Sequence, residues 1–281
     1  MRSLVADLTP PLLLHTAQAL WRRARGIRFH TFEGCYPSLA AVPCGEGKHD
    51  DDAIAEMATA GVLENMKTAG TTAKVIDNHG RFILPLIVSL HRDKPLSVLD
   101  FGGGACVGMR WILAHVPDLE LSKFSYVLVE TPAMCRAIRD KIEGARMQQL
   151  EIPSFVQIVE NIPAALDSPC IVNMSSSLLY ISDYRALLGS LANLAPQFFI
   201  VSLTPLTDGP TYARMQLNIP HKKVACWVFN RGDFILEMET LGYRIIFTID
   251  HDLPFTHKNS PGPSSFASMV FRRQIVGTGA A

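Results

Sequence analysis

From residue 96 onward, short apolar runs alternate with helical patterns. The runs cover residues 97–101, 126–129, 155–159, 170–174 and 198–203. Continuous apolar runs of this length between helices are typical of parallel strands that are buried on both faces. The alternation therefore predicts an α/β fold with an open, doubly wound, mostly parallel sheet and right-handed crossovers.

Two more apolar runs follow the fifth one. A helix predicted at 233–241 ends at Gly242, and the run at 243–249 comes directly after it. The last run, 265–271, lies beyond a loop of Pro, Gly and Ser at 260–265. We therefore expect seven strands in the segment 96–281.

The first 95 residues have a different pattern, with helical periodicity and no ladder of strands. Three aspartates, 50–52, precede a predicted helix at 53–69 whose apolar residues recur every four positions (Ile54, Ala58, Val62, Met66). A second helix is expected at 80–90, and Gly and Pro residues between 32 and 47 indicate a loop. We interpret 1–95 as an N-terminal helical cap and 96–281 as the main domain.

Composition narrows the classes of function. The chain has 281 residues, 48% of them apolar, and its 26 basic and 26 acidic residues balance. A net charge of zero disfavours nucleic acid as a partner. The six cysteines are scattered and form no C-x-x-C pair, which predicts no metal site, no disulfide framework, and reduced thiols in the cytoplasm.

Residues 10–25 are the one candidate for membrane contact. An apolar stretch there is followed by Arg22, Arg23 and Arg25, the reverse of the order in a signal peptide. No apolar run reaches the ~18 residues that span a bilayer. A helix packed on the domain is the favoured interpretation, and peripheral contact with the inner face of a membrane is the alternative.

The most informative motif is a glycine-rich turn after the first apolar run. Asp100 is followed by Phe101, then by Gly102, Gly103 and Gly104. Glycines at the carboxyl end of such a strand let a ligand approach the backbone. A dinucleotide fingerprint needs a third glycine where Val107 stands. The order acid-x-G-x-G instead resembles the first motif of class I S-adenosylmethionine-dependent methyltransferases, with Cys106 in place of that motif's third glycine.

Polar residues follow the next strands in the order that this resemblance implies. Glu130 ends the second run and can accept both ribose hydroxyls, a contact that nicotinamide dehydrogenases share. The resemblance implies Thr131, Asn161, Ser175 and Ser176 as further contacts to S-adenosylmethionine, beside Asp100 and the three glycines.

A narrower resemblance covers nearly the whole chain. Residues 32–38, 98–104, 129–135 and 173–180 are similar to a bacterial family of methyltransferases often found among surface-polysaccharide genes. The block Glu33-Gly34-Cys35-Tyr36-Pro37 is its most specific part, and it makes Glu33 and Tyr36 candidates for binding the acceptor. The resemblance implies O-methylation of a small molecule or a sugar, without naming the acceptor.

A general base would help if the acceptor is a hydroxyl. Asp208 and His221 are the weak candidates after the fifth run, and His79, His251 and His257 are others. Two alternatives stay open. One is a nicotinamide-dependent oxidoreductase, and the other is a non-catalytic module that binds the cofactor on the same fold.

Overall fold

A computed structural model describes residues 31–44, 51–66, 82–149, 153–166, 169–217, 222–251, 253 and 257–274. Its strands are β1 (Phe32–Tyr36), β2 (Leu96–Phe101), β3 (Phe124–Val129), β4 (Val156–Val159), β5 (Cys170–Ser175), β6 (Phe198–Thr207), β7 (Tyr212–Gln216), β8 (Val224–Asn230), β9 (Tyr243–His251), β10 (His257–Lys258) and β11 (Ser264–Arg273). Its helices are α1 (Asp52–Ala58), α2 (Val62–Met66), α3 (Ile83–His91), α4 (Val107–His115), α5 (Pro132–Met147), α6 (Tyr184–Ala192) and α7 (Arg231–Thr240), with short 3-10 turns at Leu121–Lys123 and Leu178–Tyr180.

Seven of the described strands form the main sheet, in the order β4-β3-β2-β5-β6-β11-β9. The first five are parallel to one another. β11 lies between β6 and β9 and is antiparallel to both. The predicted mostly parallel, seven-stranded sheet is therefore confirmed, and so is the antiparallel last strand that the resemblance to class I methyltransferases implies.

Helices cover both faces of this sheet, because successive residues of a strand point to opposite sides. On β2, Val98 packs into a core with residues of α3, α4 and α5. Its neighbour Leu99 packs on the other side with residues of α6 and α7. Both residues are fully buried. The continuous apolar runs of the sequence are thus explained by a doubly wound arrangement.

An auxiliary sheet, which was not predicted, is formed by β10, β1, β7 and β8. It joins the main sheet where β8 pairs with the end of β6 at Leu206 and Thr207. The expectation of a loop throughout 32–47 was wrong for β1. Gly34 has a φ of +83° and the register shifts between Glu33 and Tyr36, so a bulge hides the strand's alternation.

The helices of the first 95 residues lie on the main domain. The helix predicted at 53–69 is divided in the described residues into α1 and α2, and the Asp51 carboxylate accepts a hydrogen bond from the Ile54 N–H at 3.1 Å. α1 packs against α5, and α2 and α3 pack against α4. β1 pairs with β7, so the segments 1–95 and 96–281 share one sheet.

Residues 10–25, the candidate for membrane contact, lie outside the described residues. Among the residues that are described, no helix combines the length and the apolar character needed to cross a bilayer. All six cysteines are free thiols, and Cys106, Cys135, Cys170 and Cys226 are buried.

Candidate functional site

The order of the strands creates a crevice at the carboxyl ends of β2, β3 and β5. β2 pairs with β3 on one side and with β5 on the other. The chain adds β3 and β4 on the first side and then returns to add β5 on the second, so the strand order reverses at β2. Ligands of open α/β sheets bind at such a switch point. Two adjoining cavities of about 270 and 360 Å³ lie here, and both are lined by Gly102, Gly104 and Ala58 of α1.

The glycine turn between β2 and α4 packs directly on the carboxylate of Asp100. A Cβ atom on Gly103 would lie 2.1 Å from Oδ2 of Asp100, which no side chain can accommodate. Cys106, the residue before α4, has a φ of +57° and is fully buried. This left-handed conformation favours glycine, which explains why the resemblance implied a glycine at this position.

Asp100 connects three strands beneath the turn. Its Oδ1 accepts a hydrogen bond from Nδ2 of Asn173 on β5 at 2.7 Å, and its Oδ2 accepts one from the Tyr126 hydroxyl on β3. Burial raises the pKa of Asp100, and these two hydrogen bonds oppose the rise. Asp100 also lines the smaller cavity, so it can both fix the turn and face a ligand.

Glu130 lies at the end of β3, against the same turn. Its Oε1 accepts the Gly104 N–H at 2.7 Å and its Oε2 accepts the Thr131 N–H at 3.2 Å. Burial raises the pKa of Glu130, and the two backbone donors oppose that shift. A carboxylate accepts about four hydrogen bonds, so both oxygens retain capacity for further donors.

The remaining predicted contacts divide between the two cavities, with one exception. Ser175 lines the smaller cavity, while Thr131 and Ser176 line the larger one. Asn161 lines neither, because the chain turns after β4 and leaves it exposed in a shallow depression beside the site. Its neighbour Glu160 lines the larger cavity instead and forms an ion pair with Arg139 at 2.9 Å.

The candidates for acceptor binding and for a base that the structure describes do not line these cavities. Asp208 is exposed in the turn after β6, and Glu33 lies on β1 at 3.9 Å from the Lys258 ammonium group. Tyr36 packs against the small apolar core of the auxiliary sheet. His221 and His79 lie outside the described residues.

The two histidine candidates that the structure describes, His251 and His257, have contacts elsewhere. His251 is buried at the end of β9, and its Nε2 lies 2.7 Å from the Ser268 hydroxyl. His257 is half-buried on β10, where its Nε2 lies 3.1 Å from the carbonyl oxygen of Gly34. Burial lowers the pKa of His257. Neither side chain lines the two cavities.

Sequence reasoning missed several lining residues that come from distant segments. They are Ile54 and Ala58 of α1, Leu84, Trp111, Met134, Tyr180 and Ser202. The four-residue spacing of Ile54 and Ala58 placed them on one face of a helix, but nothing in the sequence indicated what that face covers. The described lining residues include three acids and no Lys or Arg.

The auxiliary sheet adjoins the larger cavity through the 3-10 turn after β5. The Tyr180 hydroxyl donates to Oε1 of Gln216 on β7 at 2.7 Å. The Trp227 ring N–H on β8 donates to the Ile181 carbonyl oxygen at 3.0 Å. Tyr180 and Ile181 line the cavity, so its wall is continuous with the auxiliary sheet. Within the described residues, no group of three or more His, Cys, Asp or Glu side chains could hold a metal ion.

No protein-family model matches the sequence, and no curated protein matches it either. Solved structures that resemble the fold include the Burkholderia thailandensis 1,6-didemethyltoxoflavin-N1-methyltransferase with bound S-adenosylhomocysteine, which is 13% identical, with a TM-score of 0.46, over 80% of this chain and 90% of that chain. The magnesium protoporphyrin IX methyltransferase of Synechocystis is 16% identical, with a TM-score of 0.45, over 80% of this chain and 100% of that one.

A third similar structure is the CcbJ methyltransferase of Streptomyces caelestis. It is 14% identical with a TM-score of 0.46, over 77% of this chain and 96% of that chain. Identities and TM-scores of this size do not assign an activity. The function of this protein is therefore inferred from the residues of its own site.

Proposed function

We propose that this protein is an S-adenosylmethionine-dependent methyltransferase that acts on a small molecule. The observation that carries the proposal is the charge of the crevice. Asp100, Glu130 and Glu160 line the adjoining cavities, and the described lining contains no basic side chain. A nucleoside with a sulfonium and an ammonium group suits this lining, because opposite charges attract strongly in a partly buried site. The anionic pyrophosphate of a dinucleotide suits it less.

The hydrogen-bonding groups of the crevice also fit a nucleoside. Glu130 would hold the two ribose hydroxyls with the lone pairs that Gly104 and Thr131 leave free. Glu160 and the hydroxyls of Ser176 and Thr131 provide polar contacts for the rest of the nucleoside in the larger cavity. Asp100 and Ser175, which line the smaller cavity, would contact the amino-acid part.

S-adenosylmethionine, when bound, supplies an electrophilic methyl group. The protein's own contribution is to hold the acceptor in line with that group and to keep water out, which provides much of the rate of such a displacement. Ile54 and Ala58 of α1 lie over the crevice and can exclude water from it. We accordingly propose that the first 95 residues act as a cap over the cofactor and the acceptor.

The finer proposal is O-methylation of a sugar or of a polysaccharide precursor. It is supported by the resemblance in residues 32–38 and 173–180 to the family found among surface-polysaccharide genes. Six free thiols favour a reducing compartment such as the cytoplasm.

Isothermal calorimetry with S-adenosylhomocysteine tests the cofactor. We expect binding in the micromolar range. Absence of any binding by S-adenosylmethionine or S-adenosylhomocysteine would refute the proposal.

Glu130 alone does not exclude a nicotinamide-dependent oxidoreductase, because its carboxylate suits the ribose of either cofactor. Quenching of NADH fluorescence by the protein, without binding of S-adenosylhomocysteine, would favour that alternative. Bound cofactor with no turnover on any sugar or small-molecule acceptor would leave the non-catalytic module as the explanation.

A further inference from the structure

Arg214 carries a positive charge into the interior of the auxiliary sheet. It lies in the middle of β7 and is only 1% exposed. Its guanidinium lies 3.4 Å from the ring centroid of Phe32 and 5.6 Å from that of Phe266. A buried cation is costly unless an anion or several hydrogen bonds compensate for its lost hydration.

That compensation is incomplete in the described part of the chain, where Arg214 forms no ion pair and hydrogen-bonds to the Cys226 thiol. Its Nε and Nη2 atoms are buried and have no hydrogen-bond partner. The groups on which its charge acts are Tyr180, His257 and Cys226, and none of them is a carboxyl group. Cys226 is its cross-strand neighbour on β8.

The identity of the two unpartnered atoms indicates the kind of ligand. Nε and Nη2 carry parallel N–H groups on one edge of the planar guanidinium. This edge matches the two oxygens of a carboxylate or a phosphate, which arginine binds with two hydrogen bonds. Stacking on Phe32 leaves the plane fixed, so the edge is preorganised for such an oxyanion.

Arg214 also lies close to the wall of the proposed methyl-transfer site. Gln216 is two residues along the same face of β7, a separation of about 7 Å in a strand. Gln216 accepts the hydroxyl of Tyr180, and the Tyr180 side chain lines the larger cavity. Arg214 therefore lies next to the residues that form the wall of the larger cavity.

We propose that Arg214 binds an oxyanion of the methyl acceptor, which is therefore a small molecule that carries a carboxylate or a phosphate group. The inference rests on the proposed methyltransferase function, since it assigns the acceptor of that reaction. In this proposal, Tyr180 and Gln216 form the polar link between the larger cavity and the oxyanion site at Arg214.

The first test compares the thermal stability of three full-length proteins without ligand. Arg214→Met replaces the buried guanidinium with an apolar chain of similar length. Because an unpaired buried charge is removed, we expect the midpoint of unfolding to stay the same or to rise. A clear fall relative to the wild type would indicate a structural arginine and would overturn the proposal. Arg244→Gln, at an exposed position of β9, is the matched loss of charge and should leave the midpoint unchanged.

The second test measures the oxyanion site directly. Inorganic phosphate or acetate replaces chloride at constant ionic strength, with S-adenosylhomocysteine present throughout. The midpoint should rise by about 2 °C or more in the wild type and in Arg244→Gln, and not in Arg214→Met. If phosphate raises the midpoint more than acetate, the acceptor carries a phosphate group; if acetate raises it more, the acceptor carries a carboxylate. Equal responses in all three proteins, or no response in any, would overturn the proposal.

Calorimetry with S-adenosylhomocysteine tests the proposed methyltransferase function separately from the proposed oxyanion site at Arg214. We expect equal affinities for the wild type and Arg214→Met, because Arg214 lines neither cavity. Binding of S-adenosylhomocysteine without the arginine-dependent anion response would overturn the acceptor proposal alone. No binding of S-adenosylhomocysteine by the wild type would overturn the proposed function, whatever the anion response.

Discussion

Cys106 is a residue at which the backbone of the site is strongly constrained. It combines a φ of +57° with complete burial, and in this region of φ and ψ any side chain with a Cβ atom is strained. Burial raises the pKa of its thiol, with the charges of Asp100 and Glu130 adding to the rise, so the thiol stays neutral. Its role at this position is therefore steric.

We expect Cys106→Gly to change the free energy of unfolding by less than about 1 kcal/mol, because relief of the strained φ offsets the lost contacts of the thiol. Cys106→Val should lower it by about 2 kcal/mol or more, since β-branched residues tolerate this conformation poorly. Urea unfolding of both variants measures the difference. Equal losses would show that packing, and not the backbone, decides what this position accepts.

If the proposed function holds, we expect Glu130 to determine the pH dependence of S-adenosylhomocysteine binding. Burial raises the pKa of its carboxyl group, and only the ionised form can accept two ribose hydroxyls together with its two backbone donors. The affinity for S-adenosylhomocysteine should therefore be full above the raised pKa and fall as the pH drops through it.

Glu130→Gln should lower this affinity about tenfold or more at neutral pH and remove most of the pH dependence. The raised pKa means that the ionised carboxylate costs stability at neutral pH, but the amide nitrogen of glutamine cannot accept one of the two backbone N–H groups. Because these two effects oppose each other, we expect the free energy of unfolding of the ligand-free variant to stay within about 1 kcal/mol of the wild type. Isothermal calorimetry across a pH series measures the affinity and its pH dependence, and thermal unfolding of the ligand-free proteins measures the stability. Glu143→Gln, on the exposed side of α5, is the control and should behave like the wild type.

At the scale of elements, the turn between β2 and α4 depends on the absence of a side chain at Gly103. A methyl group there would meet both the Asp100 carboxylate and Leu128, at 2.1 and 2.8 Å. Gly103→Ala should lower the free energy of unfolding by about 2 kcal/mol or more and abolish binding of S-adenosylhomocysteine.

The matched control is Gly144→Ala in α5, where an added Cβ meets nothing within 4 Å. It should stabilise the protein by up to about 1 kcal/mol, because alanine favours the helix, and leave binding intact. Thermal unfolding and calorimetry of the two variants measure both effects. If Gly103→Ala binds normally, the turn does not approach the ligand as closely as the crevice suggests.

The elements differ in how visible they are in the sequence. Four of the parallel strands, β2, β3, β5 and β6, are largely buried on both faces, so each forms a mostly apolar run that can be recognised locally, whereas the edge strand β4 is only partly buried. β7 was not predicted, because Arg214 and Gln216 interrupt its apolar pattern, and β8 was overlooked although residues 224–229 form a continuous apolar run. α1 was predicted from its acidic cap and its spacing, but its packing on α5 joins distant segments, through the apolar contact of Ala55 with Ala133 and Met134 and the Lys141–Glu56 ion pair at 2.6 Å.

At the scale of the whole molecule, the site is formed by the carboxyl ends of inner strands of the main sheet together with α1. Binding of S-adenosylhomocysteine should slow amide hydrogen exchange at the ends of β2 and β3 and in α1, which line the cavities. β9, at the far edge of the main sheet, should show no change. Hydrogen-exchange mass spectrometry of the full chain measures this pattern. Slower exchange throughout the chain would indicate global stabilisation without a local site.

The sequence by itself determined the fold class and the side of the sheet at which ligands bind. Both follow from local signals, since a buried strand, a glycine turn and a strand-end acid are each readable within about ten residues. It also predicted Glu130 and the three glycines as site residues, and the structure shows a hydrogen bond from the Gly104 N–H to the Glu130 carboxylate.

Only the tertiary structure decided which distant residues join them. Glu160, and not Asn161, lines the larger cavity because of the way the chain turns after β4. Neither residue type indicates that turn in the sequence. The positions of Ala58, Tyr180 and Arg214 beside the crevice depend on long-range packing between the cap, the main sheet and the auxiliary sheet. Local patterns specify which face of an element is apolar, but the partner of that face is chosen by the packing of the whole chain.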